Sequence, residues 1–504
     1  MNILEQLQNF SYIQPDQVVL QSTETELTYR ELSTASDKLA SYIVSICGTD
    51  QSPIVVYGHK SPLMLISMLA CVKSGHAYCP IDISIPSPRI QTILDQIDTP
   101  FVLAAESFPC SYKRIINSDE IHHILSTQLD AVPTKYWVTG DKVFYIIFTS
   151  GSTGHPKGVQ ITANSLNHFL EWSVDLAASN DTSAHKVFLN QAPFSFDLSV
   201  MDIYTALASG GTLWTLSHEV QNDYSSLQES LRQSKTSIWV STPSFADLCL
   251  SDKSFNAKLM KQLSTFLFCG ETLTNTTVSK LMERFPNAAI INTYGPTEST
   301  VAVTSIRITP ELNTGTTSLP IGTAKPGTFI EIHKKDGSMA KDGEKGEIII
   351  MGNTVSCGYY QNLVMNEHSF FTRSYGTQTL RGYHTGDEGY LHDDLLYYCG
   401  RLDLQIKLHG YRIELEDIEQ NLLKLDHVSN AIVLPNIKEN KVKSLTAYII
   451  YTNPIDDAFA TAQVLRTELK KQLPDYMIPK KIKFLDTFPL TNNGKVNRHY
   501  LGGL

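Results

Sequence analysis

Cysteine is scarce and scattered in this sequence: Cys47, Cys71, Cys79, Cys110, Cys249, Cys269, Cys357 and Cys399 include no C-x-x-C pair. That spacing supplies neither a zinc framework nor a disulfide scaffold, and it suits a reducing compartment. Long apolar runs are missing as well. The longest, Leu63 to Val72, is half of what a bilayer-spanning helix needs. The opening Met-Asn-Ile-Leu-Glu-Gln has no basic region and no small-residue cleavage site, so no secretory leader is expected. Nor is there an excess of positive charge. With 41 Lys and Arg against 51 Asp and Glu, the net charge is −10. Nucleic acid is therefore not expected as the main partner, since a phosphate backbone calls for clustered cations. What is present is the composition of a soluble globular chain, 42% apolar and 18% charged over 504 residues. That length predicts two or more domains with a large core, and the whole points to a soluble cytoplasmic protein without membrane insertion.

Short β-branched or aromatic runs recur at Val143–Phe148, Ser237–Val240, Thr265–Phe268, Ala289–Ile291 and Glu347–Met351. Most end in Gly, Ser, Thr or Pro, with helical stretches between several of them, which predicts an α/β architecture with functional loops at strand ends. Thr309–Gly327 is helix-poor and reads as punctuation, as does the neighbourhood of Gly400–Gly410. Between them, Glu347–Gly352 and Gly386–Gly400 read as β-rich. Beyond, Ile413, Leu415, Ile418, Leu422 and Leu423 fall on one helical face. Strand-like Ala431–Leu434 and Leu445–Tyr451 and a helix near Ala460–Gln472 complete an α+β unit of roughly 100 residues. The expected division is a large multi-layered domain, 1–400, and a small C-terminal domain, 401–504.

The strongest local signal is Thr149-Ser150-Gly151-Ser152-Thr153-Gly154-His155-Pro156-Lys157-Gly158, directly after a predicted strand. Its glycines and hydroxyls let backbone N–H groups and side chains converge on an anion, and Lys157 adds positive charge. It is not a Walker A loop, because G-x-x-x-x-G-K-[ST] cannot be threaded through it. It is not a nucleophile elbow, because Ser150 stands where glycine is required. A flexible Ser/Gly loop is the plain alternative.

This stretch resembles the signature of the adenylate-forming superfamily, and further matches follow in that family's order. They are Leu27–Leu32, Lys73–Asp82, Asn292-Thr293-Tyr294-Gly295-Pro296-Thr297-Glu298, Tyr383–Asp387, Gly400–Lys407, Leu473–Pro479 and Asn493–Arg498. The resemblance covers essentially the whole chain and implies ATP and Mg²⁺ as cofactors, with a C-terminal domain that moves. A carboxylate attacking a phosphate is already ionised at neutral pH and needs no general base. Catalysis is then mostly positioning and electrostatic stabilisation, for which a donor-rich loop, a lysine and an oxygen-bound divalent cation suffice.

By that resemblance, Thr149, Ser150, Gly151, Ser152, Thr153, Gly154 and Lys157 hold phosphates, and Thr297 the α-phosphate. Glu298 binds Mg²⁺. Asn292 and Tyr294 read and stack the adenine, and Thr293, Gly295 and Pro296 also bind ATP. Asp387 binds the ribose hydroxyls, with Tyr398, Cys399, Gly400 and Arg401 beside it. Asp403 is the hinge, and Lys495 is a catalytic lysine of one domain orientation. Read without the resemblance, Asn292–Pro296 and Gly386-Asp387 are each consistent with a β-turn, and Lys495 with a solvated surface lysine.

Asp197 bears on the substrate. On its own it reads as a helix N-cap before Leu198, Val200, Met201, Ile203 and Tyr204. In the amino-acid-activating branch an Asp at the matching position pairs with the substrate's ammonium. Further similarity to the branch that activates D-alanine lies in Asn190–Asp202, Phe268-Cys269-Gly270-Glu271 and Gln405–Arg412. It implies a D-alanine site formed by Asp197, Cys269, Val301 and Lys495. It also implies transfer to the phosphopantetheine thiol of a D-alanyl carrier protein, for teichoic acid D-alanylation. Cys269 alone reads as a small buried hydrophobe. Three alternatives stay open: an L-amino-acid adenylation domain, more remotely an acyl-CoA synthetase, and a nucleotide-binding homologue without turnover.

Overall fold

The apolar run at Leu63–Val72 is a core helix, Pro62–Lys73, with Ser61 as its N-cap and Pro62 in its first turn. Every residue from Leu63 to Lys73 is buried, as expected of a helix that is apolar all round. Even Lys73 is enclosed, paired with Asp37 at 3.1 Å. Among the described residues no helix is long and apolar enough to cross a membrane.

The computed structural model describes residues 1–151, 156–178, 185–315, 318–375, 378–438, 441–489 and 496–502. They form two compact units. The first comprises Met1–Asp82, Ile97–Ile147 and Gly158–Leu402; the second comprises Ile83–Gln96, Phe148–Lys157 and Asp403–Leu504.

A nine-stranded sheet of the first unit is parallel through Thr212–Thr215, Val187–Asn190, Ile238–Ser241, Thr265–Phe268 and Ala289–Tyr294. Ile238–Ser241, Thr265–Phe268 and Ala289–Tyr294 are buried along their whole length, as strands covered on both faces are. At one side Thr304–Arg307 pairs antiparallel with Ala289–Tyr294. A second sheet, of seven strands, includes Ile54–Tyr57, Tyr78–Ile81 and Val143–Thr149. The third is antiparallel and contains Gly346–Gly352, Gln378–His392 and Leu395–Arg401.

In the second unit, Gln405–Leu408 and Tyr411–Glu414 make a hairpin. A three-stranded sheet of Val428–Lys438, Lys441–Tyr451 and Lys481–Phe484 packs with helices Leu415–Leu423 and Ala458–Lys470 around one apolar core.

Candidate active site

The Asn292–Pro296 stretch is not a β-turn. Asn292, Thr293 and Tyr294 end a buried strand, Ala289–Tyr294. Gly386 and Asp387 likewise lie within the strand Gln378–His392. Antiparallel pairing sets Asp387 opposite Arg401. Arg401 Nη1 donates to Asp387 Oδ1 at 3.0 Å and to the Thr385 carbonyl at 2.7 Å. From the other side the Tyr294 hydroxyl donates to Asp387 Oδ2 at 2.6 Å. Burial, reinforced by Asp387, drives the Tyr294 phenol well above its ordinary pKa, so it stays a donor. Tyr398 lies beside it, ring centroids 6.1 Å apart, on the strand that also carries Cys399, Gly400 and Arg401. The Asn292 side-chain amide donates to the Pro320 carbonyl at 2.9 Å.

The chain then turns back sharply. A Cβ on Gly295 would sit 2.6 Å from Ala302 Cα and 2.8 Å from the Val301 carbonyl oxygen, so only glycine fits. A single 3₁₀ turn, Thr297–Ser299, follows. Thr300 and Val301 then adopt φ of 63° and 66°, a conformation β-branched residues rarely accept. Their surroundings hold it. The Thr300 hydroxyl donates to the Thr354 carbonyl at 2.7 Å, and Val303 N–H to the Tyr294 carbonyl at 2.7 Å. Glu298 is wholly buried, and its Oε1 accepts from the Tyr359 hydroxyl at 2.8 Å. Tyr359 was not reached by any motif.

Strained Val301 meets Cys269, whose Sγ lies 3.6 Å from the Val301 carbonyl. Both are buried in the first unit, so two of the residues selected for the D-alanine site are in contact. Asp197 directly precedes the helix Leu198–Ser209, yet its carboxylate makes no capping bond. The N-cap reading therefore does not account for it.

In the second unit the Ser150 hydroxyl donates to the Arg412 carbonyl at 2.8 Å and accepts from Glu414 N–H at 3.2 Å. Lys157 Nζ is 3.6 Å from Glu414 Oε1, both groups buried. Burial raises the Glu414 carboxyl pKa, against the pull of Lys157 and Arg412. Thr149 Oγ1 is enclosed and has no hydrogen-bond partner among the described residues, a donor left over at the head of the loop. Asp403 Oδ1 accepts from Gln405 N–H at 2.9 Å. Ser152, Thr153, Gly154 and Lys495 lie outside the described residues.

The two units and a strand-end site of this build define an adenylate-forming enzyme. Residues 7–360 match the model of the AMP-binding enzymes, and residues 417–495 that of the AMP-binding enzyme C-terminal domain. D-alanine--D-alanyl carrier protein ligases of Bacillus thuringiensis (strain Al Hakam) and Bacillus cereus (strain G9842) are each 45% identical over 99% of both chains. Among solved structures, the chain resembles an NRPS protein containing adenylation and PCP domains, bound to a vinylsulfonamide inhibitor. That likeness has a TM-score of 0.82 and 25% identity, covering 99% of this chain and 84% of the other. A Vibrio cholerae adenylation domain in complex with glycyl-adenosine-5'-phosphate shares the fold, with a TM-score of 0.78 and 21% identity over 100% and 97% of the two chains. The chain belongs to the AMP-binding enzymes and, within them, to the D-alanine--D-alanyl carrier protein ligase family. An adenylate-forming ligase uses ATP.

Proposed function

We propose that this enzyme activates D-alanine with ATP and passes the aminoacyl group to the phosphopantetheine thiol of a small D-alanyl carrier protein. The single observation that carries the amino-acid reading is Asp197, a carboxylate at a helix start that does not cap its helix. In the first half-reaction a D-alanine carboxylate oxygen attacks the α-phosphorus and the bond to pyrophosphate breaks. In the second, the carrier's thiol sulfur attacks the acyl carbon, and AMP leaves.

Asp197 pairs with the substrate ammonium, and Cys269 and Val301 stand beside the substrate methyl. Thr149 to Gly154 and Lys157 hold the phosphates; the enclosed Thr149 hydroxyl, without a partner among the described residues, suits that task. Thr297 takes the α-phosphate. Asn292 and Tyr294 bind the adenine, the Tyr294 ring being held in place by its hydroxyl bond to Asp387. Asp387, steadied by Arg401, binds the ribose. Lys495 approaches the α-phosphate during adenylation only, and the 401–504 domain turns about Asp403 between the two steps. Wholly buried Glu298 fits a divalent cation; Mg²⁺ there would offset charge on the phosphate oxygens. The reaction belongs in the cytoplasm, where ATP is available.

Pyrophosphate exchange against D-alanine, L-alanine, glycine and fatty acids is the test. D-alanine should support the fastest exchange. Preference for L-alanine would replace the reading with an L-amino-acid adenylation enzyme, and ATP binding without exchange would replace it with a non-catalytic homologue.

A further inference from the structure

We infer that Lys60 is a positioning residue for amino-acid recognition: its ammonium, received by three backbone carbonyls, fixes the segment that carries Asp197. The inference rests on the proposal that Asp197 anchors the substrate's ammonium.

Lys60 follows the strand Ile54–Tyr57 and is 4% exposed. Its Nζ donates to the carbonyls of Gln191 at 2.6 Å, Leu216 at 2.8 Å and Asn190 at 3.5 Å. Those carbonyls stand at the C-terminal ends of Val187–Asn190 and Thr212–Thr215, in the other large sheet. An ammonium has three N–H donors, and here they join two sheets where the amino-acid segment leaves its strand. The backbone bends to allow it: Lys60 has φ of 45°. Next to it His59 Nδ1 lies 2.6 Å from Asp82 Oδ2, and His218 Nε2 is 2.9 Å from Asp82 Oδ1, so the turn carrying Lys60 is itself tied down.

A second clamp closes the other end of the segment. The Asn190 amide donates to the Ala192 carbonyl at 3.0 Å and to Asp202 Oδ1 at 2.9 Å. Asp202 lies in the helix that Asp197 precedes. Asp197 therefore sits between two tethered points, 190–192 and 202. Burying a cation is costly, and a sheet-to-sheet contact alone is met more cheaply by an apolar side chain. Burial pushes the Lys60 ammonium down to about 7, opposed by the charges of Asp202 and Asp82. What the ammonium supplies is fixed carbonyl geometry. A charge-assisted bond to the substrate is sensitive to that geometry, since a shift of about 1 Å in a positioning group costs up to about a hundredfold.

The experiment is pyrophosphate exchange by full-length Lys60→Met, with the amino acid and ATP varied in turn and thermal melting measured alongside. The KM for the amino acid should rise about tenfold or more while that for ATP stays within about twofold. Lys60→Arg, which keeps a buried cation with several donors, should return the amino-acid KM toward wild type. If Lys60→Met does not fold, Lys60→Gln carries the test, with an amino-acid KM raised by a smaller factor. Equal changes in both KM values, or an unchanged amino-acid KM, would overturn the inference and leave Lys60 a structural tie. The amino acid used is whichever the wild type prefers. A preference other than D-alanine would thus revise the substrate without touching the Lys60 comparison.

Discussion

The proposed nucleotide side and the proposed amino-acid side of this site are built from different materials. On the first, side chain answers side chain: Tyr294 and Arg401 occupy the two oxygens of Asp387, and Tyr359 meets Glu298. On the second, the backbone does most of the shaping. Val301 holds a strained φ and offers its carbonyl to Cys269, Lys60 grips three carbonyls, and Asp197 stands at a helix start it does not cap. A side-chain network keeps its geometry with or without ligand. A backbone-shaped site would let one or two side chains set which acid is accepted. Disturbing the first side should therefore weaken nucleotide handling alone, and disturbing the second should change the choice of acid.

The largest effect is expected at Asp197. Asp197→Ala leaves the substrate ammonium buried without its counter-charge, at a cost of about 3–5 kcal/mol. Exchange with D-alanine should fall about a hundredfold or more while ATP binding holds. Near-normal exchange in a folded variant would remove Asp197 from the site.

Next comes the division between half-reactions. Lys495→Ala should cost on the order of a hundredfold in adenylate formation, the scale of losing one donor to a developing charge. Transfer from supplied D-alanyl-adenylate to the carrier should be spared. Asp403→Pro should do the reverse, because fixing φ restricts the proposed rotation. Measured in parallel, equal loss of both activities in each folded variant would sink the alternating mechanism.

These two sides were also unequally legible in the sequence. Thr149–Gly158 and Asn292–Glu298 stand out because dense glycine, hydroxyl and turn residues are rare side by side. Most strand cores were legible as well: Thr265–Phe268 is a strand over that same span, and Ala289–Ile291 continues to Tyr294. Ile413 reads as helical by spacing but belongs to the strand Tyr411–Glu414, because a tight hairpin takes the residues up to the helix start at Leu415. Thr300 and Val301 could not be foreseen with positive φ, since local propensity argues against it and contacts distant in sequence, such as that of Thr300 with Thr354, hold it. Lys60 was invisible for a related reason: its acceptors are carbonyls, and carbonyls leave no mark in a sequence.

Two smaller changes sharpen the contrast. Tyr294→Phe removes the hydroxyl from buried Asp387 and should cost about 1.5–3 kcal/mol, the worth of a hydrogen bond to a charged group. The loss should appear as a raised KM for ATP with that for D-alanine unchanged; movement of both together would blur the two sides into one. Cys269→Ala opens space beside the Val301 carbonyl and should relax stereochemical choice by about 1–3 kcal/mol, mainly by improving L-alanine. A constant ratio of kcat/KM for D- and L-alanine would reduce Cys269 to core packing.

The smallest effect concerns pH and the second unit. Burial raises the Glu414 carboxyl above its ordinary value of 4.5, more than Lys157 and Arg412 lower it. Between 4.5 and its folded pKa the native protein therefore holds more protons here than the unfolded chain. The contribution of this group to stability is complete below 4.5 and is lost as pH rises through the folded value. Glu414→Gln removes the titration. The informative quantity is how the difference in Tm between wild type and variant changes across the acidic range. Because the wild type loses the Glu414 contribution as pH rises, its advantage over Glu414→Gln should shrink from pH 4.5 upward, by a few degrees at most. An advantage that grows with pH would mean that the Lys157 charge outweighs burial and holds Glu414 ionised.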